Sequence, residues 1–497
     1  MRYPYDGVYV RSVPNNFAAS LGSPSSVNRW EPLLGLILFV SALNASQRTY
    51  AVEPSVFPSQ WTMPAAQQPA LPAASGNPRI ELWRQGKLLA AWSSMGAGRT
   101  ADDEPFDPQR PNLRNGPFRR GVFRELMDGD VFRVLPAVYD APGNGIYIGP
   151  NWNDAKHYQA TASQGALPYV PKRIMIQGVT VAGQRPVIRI AGAERDEYDR
   201  SVIFIEGYLD PSSGKYVPVE DITIENIDID GSRGVPGRAA IFLNGCRNCT
   251  FRDMRISNYT GSHGILSGPD TAGTLRVEQV EFDHVGGGNG PDHPIYAGAS
   301  ARDPNFKLHA RGVWARYGTV GHLLKSRAQV NVIEACYFEG HHAADGQTAE
   351  SYLVDISEGG RATVRNNIFV KNYSGEGANG VALTFGPELT PAMAKSRAHD
   401  LVVEGNLFVT FAATWNKRND PSFPLRVWPA VNDAPIRIRG NAFVGYRPTG
   451  QASFDRRGTD ALFSGFDNLT LSYDLKHAPD AWRARPGPRY IHQSQFQ

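Results

Sequence analysis

Four apolar positions at offsets 0, 2, 5 and 7 recur along this chain, and the pattern limits its fold more than any other feature. It opens with Ile174, Ile176, Val179 and Val181. Ile222, Ile224, Ile227 and Ile229 repeat it, then Cys249, Phe251, Met254 and Ile256, then Leu275, Val277, Val280 and Phe282. Phe306, Leu308, Arg311 and Val313 follow, with Arg311 breaking the pattern, and the last four units start at Asn331, Ala362, Leu401 and Ile436. From the second unit on, the starts lie 27, 26, 31, 25, 31, 39 and 35 residues apart. Two alternations broken by a step of three do not fit a helix; they spell strand, tight bend, strand. The bend is expected at offset 5, which becomes Cys336 and then Asn367, Asn406 and Asn441. Asparagine tolerates left-handed backbone, and stacked asparagines hydrogen-bond along a ladder.

A strand repeat of this period predicts an all-β parallel β-helix over residues 116–450. Each coil of such a fold buries its face only against the next, at roughly 4.8 Å spacing. A propeller or sandwich would need frequent antiparallel hairpins with two-residue turns, and the variable loops between units argue against both.

A second short strand lies between successive units. His263, Gly264, Ile265 and Leu266 align with His293, Pro294, Ile295 and Tyr296, then with His322, Leu323, Leu324 and Lys325, then with Tyr352, Leu353, Val354 and Asp355. The steps are 30, 29 and 30 residues, so each set is expected above the last. The third residue of each set should face the core and the fourth solvent. Arg327 shares the face of Lys325, within the segment GHLLKSRA from Gly321 to Ala328. A solitary Lys or Arg on a strand is usually a solvated charge. Here Tyr296, Lys325, Arg327 and Asp355 coincide in adjacent coils, with His263, His293 and His322 at the edge. Two cations on one strand face suit a polyanionic ligand. Loops nearby add His284, a glycine run containing Asn289, Asp292, His341, His342 and Glu350. A second Lys-Ser-Arg-Ala, Lys395 to Ala398, lacks the flanking His and apolar strand and reads as a charged loop.

The remaining features bound the class. With 497 residues and a net charge of +3, the charge balance does not point to nucleic acid. Three cysteines provide no disulfide framework, and Cys246 and Cys249 read as small buried residues at a turn. The apolar run Leu33 to Leu43, preceded by Arg29, fits a signal-peptide core; translation starting at Val27 from a non-ATG codon would place it correctly. That predicts a secreted or periplasmic protein with no stable membrane insertion after signal removal. Residues 52–77 read as a Pro- and Ala-rich linker, 78–115 as a cap with Ile80 to Trp83 as its strand, and 451–497 as a tail packed on the last coils.

The segments Asp128 to Tyr139, Lys172 to Val179, DHPIYAG, GHLLKSRA and YLVDISEGG resemble bacterial right-handed parallel β-helix proteins of the pectate-lyase-like superfamily. There is a more distant similarity to polysaccharide lyases of the chondroitinase B and alginate lyase type. Pro294 and Leu353 depart from that group, which carries Asn and an acidic residue there. The resemblance implies an acidic polysaccharide as partner and β-elimination at a uronate as reaction. It allows calcium as cofactor, with Asp355 and Glu350 as carboxylates that would hold it. Elimination needs a neutralised carboxylate, a base for the C5 proton and an acid for the departing oxygen. Arg327 suits the first role and Lys325 the second, or the reverse. Tyr296, His293 or His322 suits the third. Asp355, His263, His284 and Asn289 are expected to bind substrate. A glycoside hydrolase with paired carboxylates, an epimerase, or a non-catalytic binder of acidic polysaccharide are the alternatives.

Overall fold

The computed structural model describes residues 78–92, 126–444 apart from loop segments, and 469–471; the longest of those segments are 151–168, 191–200, 341–350, 372–380 and 411–422. The signal-like run, the linker, nearly all of the tail, and Asn289, His341, His342 and Glu350 lie outside the described residues. No helix among the described residues is long and apolar enough to cross a membrane.

The described chain is nearly all β, with parallel sheets consistent with a β-solenoid. Three ladders of parallel strands run its length. The first begins Val131–Val134, Met175–Gly178, Val219–Glu225 and continues to Ile436–Arg439. The second begins Val138–Ala141, Val187–Ile190, Asp228–Asp230 and ends at Leu469–Leu471. The third has nine strands, from Ile146–Ile148 to Phe423–Val427. At the start, Ile80–Arg84 pairs antiparallel with Val131–Val134 and with Lys87–Trp92, so the first ladder strand does not end in an open edge.

Alternating side chains point inward and meet their equivalents one coil away. Ile176, Ile224, Phe251 and Val277 form one such column. On the second ladder Phe338, Phe369, Phe408 and Phe443 stack at 5.5, 4.6 and 5.3 Å between ring centres. These columns are buried and merge into one core. Burial of apolar area against the neighbouring coil, about 25 cal/mol per Å², is what stabilises each rung.

The observed register corrects the repeat in three places. Leu275 pairs with Leu308, not Phe306, so the fifth unit is Leu308, Ala310, Val313 and Ala315. All four are buried, and Arg311 moves to an exposed position and no longer breaks the pattern. In the first unit, Ile188 rather than Val181 pairs with Ile229. Val181 is 56% exposed, in a turn closed by its bridge to Gln184. The chain inserts this turn between the two strands of the coil, which a fixed-offset template cannot see. Finally, the left-handed residue sits one place before offset 5, as in Asn226, Asp253, Gln279, Ala335 and Asn366, with Gly312, Gly405 and Gly440 at the equivalent points. The offset-5 residue turns inward. Asn367, Asn406 and Asn441 are therefore buried and form the expected ladder from inside the core.

Cys246 and Cys249 are both buried in the core and are joined as a disulfide, which their reading as inert small residues did not include. Cys336 is free and buried, and burial pushes its thiol up to about 12.

Candidate functional site

The third ladder brings the expected columns together in the expected register. Ile265 pairs with Ile295, Ile295 with Leu324, and Leu324 with Val354; Leu266, Tyr296, Lys325 and Asp355 follow one place on. Each residue of GHLLKSRA has a distinct job in this frame. A Cβ at Gly321 would overlap the carbonyl oxygen of Asp292. Leu323, Leu324 and Ala328 fill the core. Ser326 turns inward, donates its hydroxyl to Asn331 Oδ1 at 2.5 Å and accepts the Ala328 N–H at 3.1 Å, closing the corner into the next strand. Lys325 and Arg327, on either side of Ser326, are left on the outside of the coil.

Facing out of the coil does not make these residues solvent-exposed, contrary to the expectation from alternation. The Lys325 side chain is 12% exposed and that of Asp355 only 2%. What covers them is a segment two coils further on. After the strand Val381–Phe385 the chain turns through Gly386 and delivers Glu388, whose N–H bonds the Ser357 carbonyl at 2.9 Å. Lys325 Nζ donates to Glu388 Oε1 at 2.5 Å, and Arg327 Nε donates to Glu388 Oε2 at 2.8 Å. Below them lies Tyr296, with Lys325 5.6 Å and Arg327 5.3 Å from its ring centre. One carboxylate is thus gripped by two cations above an aromatic ring.

Two more carboxylates, those of Asp355 and Glu358, complete the group. Asp355 Oδ2 accepts from Ser357 at 2.7 Å and lies 3.9 Å from Lys325 Nζ and 3.4 Å from His322 Nε2. Its Oδ1 is buried and finds no hydrogen-bond partner among the described residues. Burial drives the Asp355 carboxyl up to about 7, and the Ser357 hydrogen bond and the Lys325 charge offset this only in part. Burial also acts on Glu388, but hydrogen bonds from Arg327 and Lys325 outweigh it and hold that carboxyl below its ordinary value. Glu358 lies 3.7 Å from Arg327 and 2.9 Å from Arg397. Arg397 belongs to the second Lys-Ser-Arg-Ala, so that segment is no detached charged loop. Its Lys395 and Ser396 end the short helix Pro391–Ser396, which Thr390 caps, and Arg397 just beyond closes over Glu358.

The histidines form a ladder of their own. The rings of His293 and His322 stack at 4.9 Å, those of His322 and Tyr352 at 4.9 Å, and His263 lies 5.6 Å from His293. His263 Nδ1 accepts the His293 N–H at 2.9 Å, His293 Nδ1 accepts the His322 N–H at 2.9 Å, and His322 Nδ1 accepts the Tyr352 N–H at 3.2 Å. A neutral imidazole accepting at Nδ1 carries its proton on Nε2. Burial, helped by Lys325, pushes His322 down to about 3; burial and Arg238 push His263 to about 4; burial holds His293 well below its ordinary value. The outward Nε2–H groups of His263 and His322 face Asp292 and Asp355, each at 3.4 Å. Their first job is therefore to hold successive coils in register.

His284 is placed elsewhere. It follows the strand Ala272–Asp283 of the larger sheet and hydrogen-bonds Asp283 at 2.8 Å. Glu388 and Glu358 join the candidate site without having been singled out by the sequence pattern. Glu388 is 63 positions from Lys325 and lies in a loop with no periodic signal. Glu358 stands within YLVDISEGG but outside its alternating core.

The described residues around Asp355 do not suit a calcium ion; Glu350, the other carboxylate named for one, lies outside them. Among the described residues no group of three or more His, Cys, Asp or Glu converges to hold a metal. Asp355, Glu358 and Glu388 each have a cationic neighbour already, and a divalent ion would meet Lys325 and Arg327.

No protein family, curated protein or solved structure matches this chain.

Proposed function

We propose that this chain is a secreted right-handed parallel β-helix of the pectate-lyase-like kind, which binds a uronate-containing polysaccharide and cleaves it by β-elimination. The observation that carries this reading is the grip of Lys325 and Arg327 on a single carboxylate above Tyr296. A uronic acid residue offers a carboxylate and an apolar ring face in the same arrangement.

Because both cations contact one carboxylate, Lys325 shares the neutralising role with Arg327. Neutralisation makes the C5 proton of the uronate acidic. Tyr296, acting as its phenolate beneath the two cations, takes that proton. The electron pair of the C5–H bond forms the C4–C5 double bond, the C4–O bond breaks, and the leaving oxygen takes a proton back from the Tyr296 hydroxyl. His322 and Asp355 position Lys325 from behind.

A second reading has one observation in its favour. Asp355 and Glu388 are two carboxyl groups with oppositely shifted affinities for a proton, bridged by one ammonium. Such pairs serve hydrolysis as acid and base. Glu388 is nevertheless neutralised by two cations, which leaves it a weak base.

Ultraviolet absorbance separates the readings, since elimination makes an unsaturated product and hydrolysis does not. Alginate, polyglucuronate, pectate and glycosaminoglycans form the test panel. Lys325→Ala and Tyr296→Phe should each lower the rate ~10²–10³-fold on the active polymer. No absorbance on any polymer, with new reducing ends instead, would replace elimination by hydrolysis.

A further inference from the structure

We infer that Glu388 is an internal occupant of a carboxylate-binding subsite, and that an acidic ligand enters by exchanging its own carboxylate for that of Glu388. The inference rests on the reading of Lys325 and Arg327 as a uronate grip, and adds how that grip is kept when no ligand is present.

Three observations support it. The first is geometric. One Glu388 oxygen meets each cation, at 2.5 and 2.8 Å, as a ligand carboxylate held by both would do. The second is mechanical. The backbone on either side of Glu388 is anchored without help from its side chain. Glu388 N–H bonds Ser357, Leu389 packs on the core, and Thr390 accepts the Met393 N–H at 3.2 Å. The carboxylate can therefore leave by side-chain rotation alone, with no loop movement. Its side chain is 35% exposed, against 12% for Lys325, so it has a way out.

The third observation is electrostatic. Lys325 and Arg327 are like charges two residues apart, and Lys325 is largely out of water. Stripping such a pair of its counter-charge is costly. Asp355 is a poor substitute at 3.9 Å, because Ser357 already holds the same oxygen. Exchange of one carboxylate for another keeps the grip neutralised throughout, whereas a neutral sugar in the same place would leave Lys325 only Asp355 at 3.9 Å and Arg327 only Glu358 at 3.7 Å, neither within hydrogen-bond distance. Glu388 thereby excludes uncharged glycans. It also weakens every acidic ligand, since an attached competitor acts at an effective concentration of ~mM or more. A single uronate is then a poor ligand, and a polymer with neighbouring contacts a good one.

The test uses the full chain and D-glucuronate, with acetate as the smaller carboxylate and D-glucose as the neutral control, all at fixed ionic strength. Glu388→Gln keeps the side-chain shape and removes the charge. It should bind D-glucuronate at least ~10-fold more tightly than the natural protein by calorimetry. Glu388→Ala should lose thermal stability, and acetate and D-glucuronate should restore it saturably while leaving the natural protein unmoved; D-glucose should do nothing to either. Equal or weaker D-glucuronate binding in Glu388→Gln, with no saturable rescue of Glu388→Ala, overturns the inference. The two readings fail separately. Tighter binding in Glu388→Gln without unsaturated product from any polymer keeps the subsite and removes elimination. Product from the natural protein that vanishes in Glu388→Gln with no gain in affinity keeps elimination and removes the internal occupant.

Discussion

Two polar ladders climb this stack, and they differ in what they leave over. In the asparagine ladder, Asn406 Oδ1 accepts the Asn367 N–H and the Asn367 Nδ2, while Asn406 Nδ2 donates to the Val364 carbonyl and to Asn441 Oδ1. Both ends of the amide are used inside the core. In the histidine ladder, Nδ1 takes the N–H of the next coil and the ring stacks, but Nε2–H remains and points outward. Asparagine closes the fold on itself. Histidine performs the same registering and keeps one donor for Asp355, beside Lys325. The first ladder is purely structural, and the second ties the spacing of the coils to the candidate site.

The asparagine ladder should show the largest loss of stability. Asn406→Ala removes the acceptor of one buried N–H and the donor to one buried carbonyl, and interrupts the amide chain. It should cost roughly 3–5 kcal/mol by denaturant unfolding while leaving D-glucuronate affinity in the folded protein unchanged. A loss of affinity at full folding would show that the asparagine ladder also reaches the site.

Acid should attack the other ladder next. The three histidines have folded-state proton affinities below the ordinary histidine value, so the unfolded chain binds more protons below pH ~6.5. Their contribution is present above that value and is lost as pH falls toward about 4 for His263 and about 3 for His322. Asp355 works in the opposite direction. Its affinity is raised to about 7, so its own contribution weakens stability as pH rises from ~4 to 7. Melting temperature should therefore fall between pH 6.5 and 4, and Asp355→Asn should steepen that fall. A flat profile in Asp355→Asn as well would mean that the folded chain protonates its imidazoles as readily as the unfolded chain does.

His293→Ala sharpens the same point at smaller cost. The His322 N–H loses its acceptor and three rings, those of His263, Tyr296 and His322, lose a neighbour, for about 2–3 kcal/mol. Unlike Asn406→Ala, it should also weaken D-glucuronate binding, through the His322–Asp355–Lys325 chain; His293→Asn, which retains an acceptor, should recover part of both. The smallest effect belongs to His284→Ala. His284 is half exposed and bonded to Asp283 on a different sheet, so stability should change by less than about 1 kcal/mol and product formation not at all.

The legible and illegible parts of the site divide along a physical line. Tyr296, Lys325 and Asp355 align in the sequence because their steps equal one coil, and parallel pairing converts equal steps into direct contact. A fixed-offset pattern admits Phe306 in the place that Leu308 holds, because both are apolar and the pattern has period two on a strand. The seven residues inserted before Val187 have no periodicity to betray them. Glu388 escaped because a loop residue makes its contacts by where the turn at Gly386 aims it, not by its own spacing.

By itself, then, the sequence determined that strands alternate, that coils stack, and that two cations share one outward face beside stacked histidines, because short-range periodicity and repeat length encode those facts directly. Only the tertiary structure decided that this face is covered, that Glu388 fills the grip of Lys325 and Arg327, and that each histidine Nδ1 is tied to the next coil. Those depend on where loops land two coils away and on which side of a ring meets the backbone, and neither is written in local pattern.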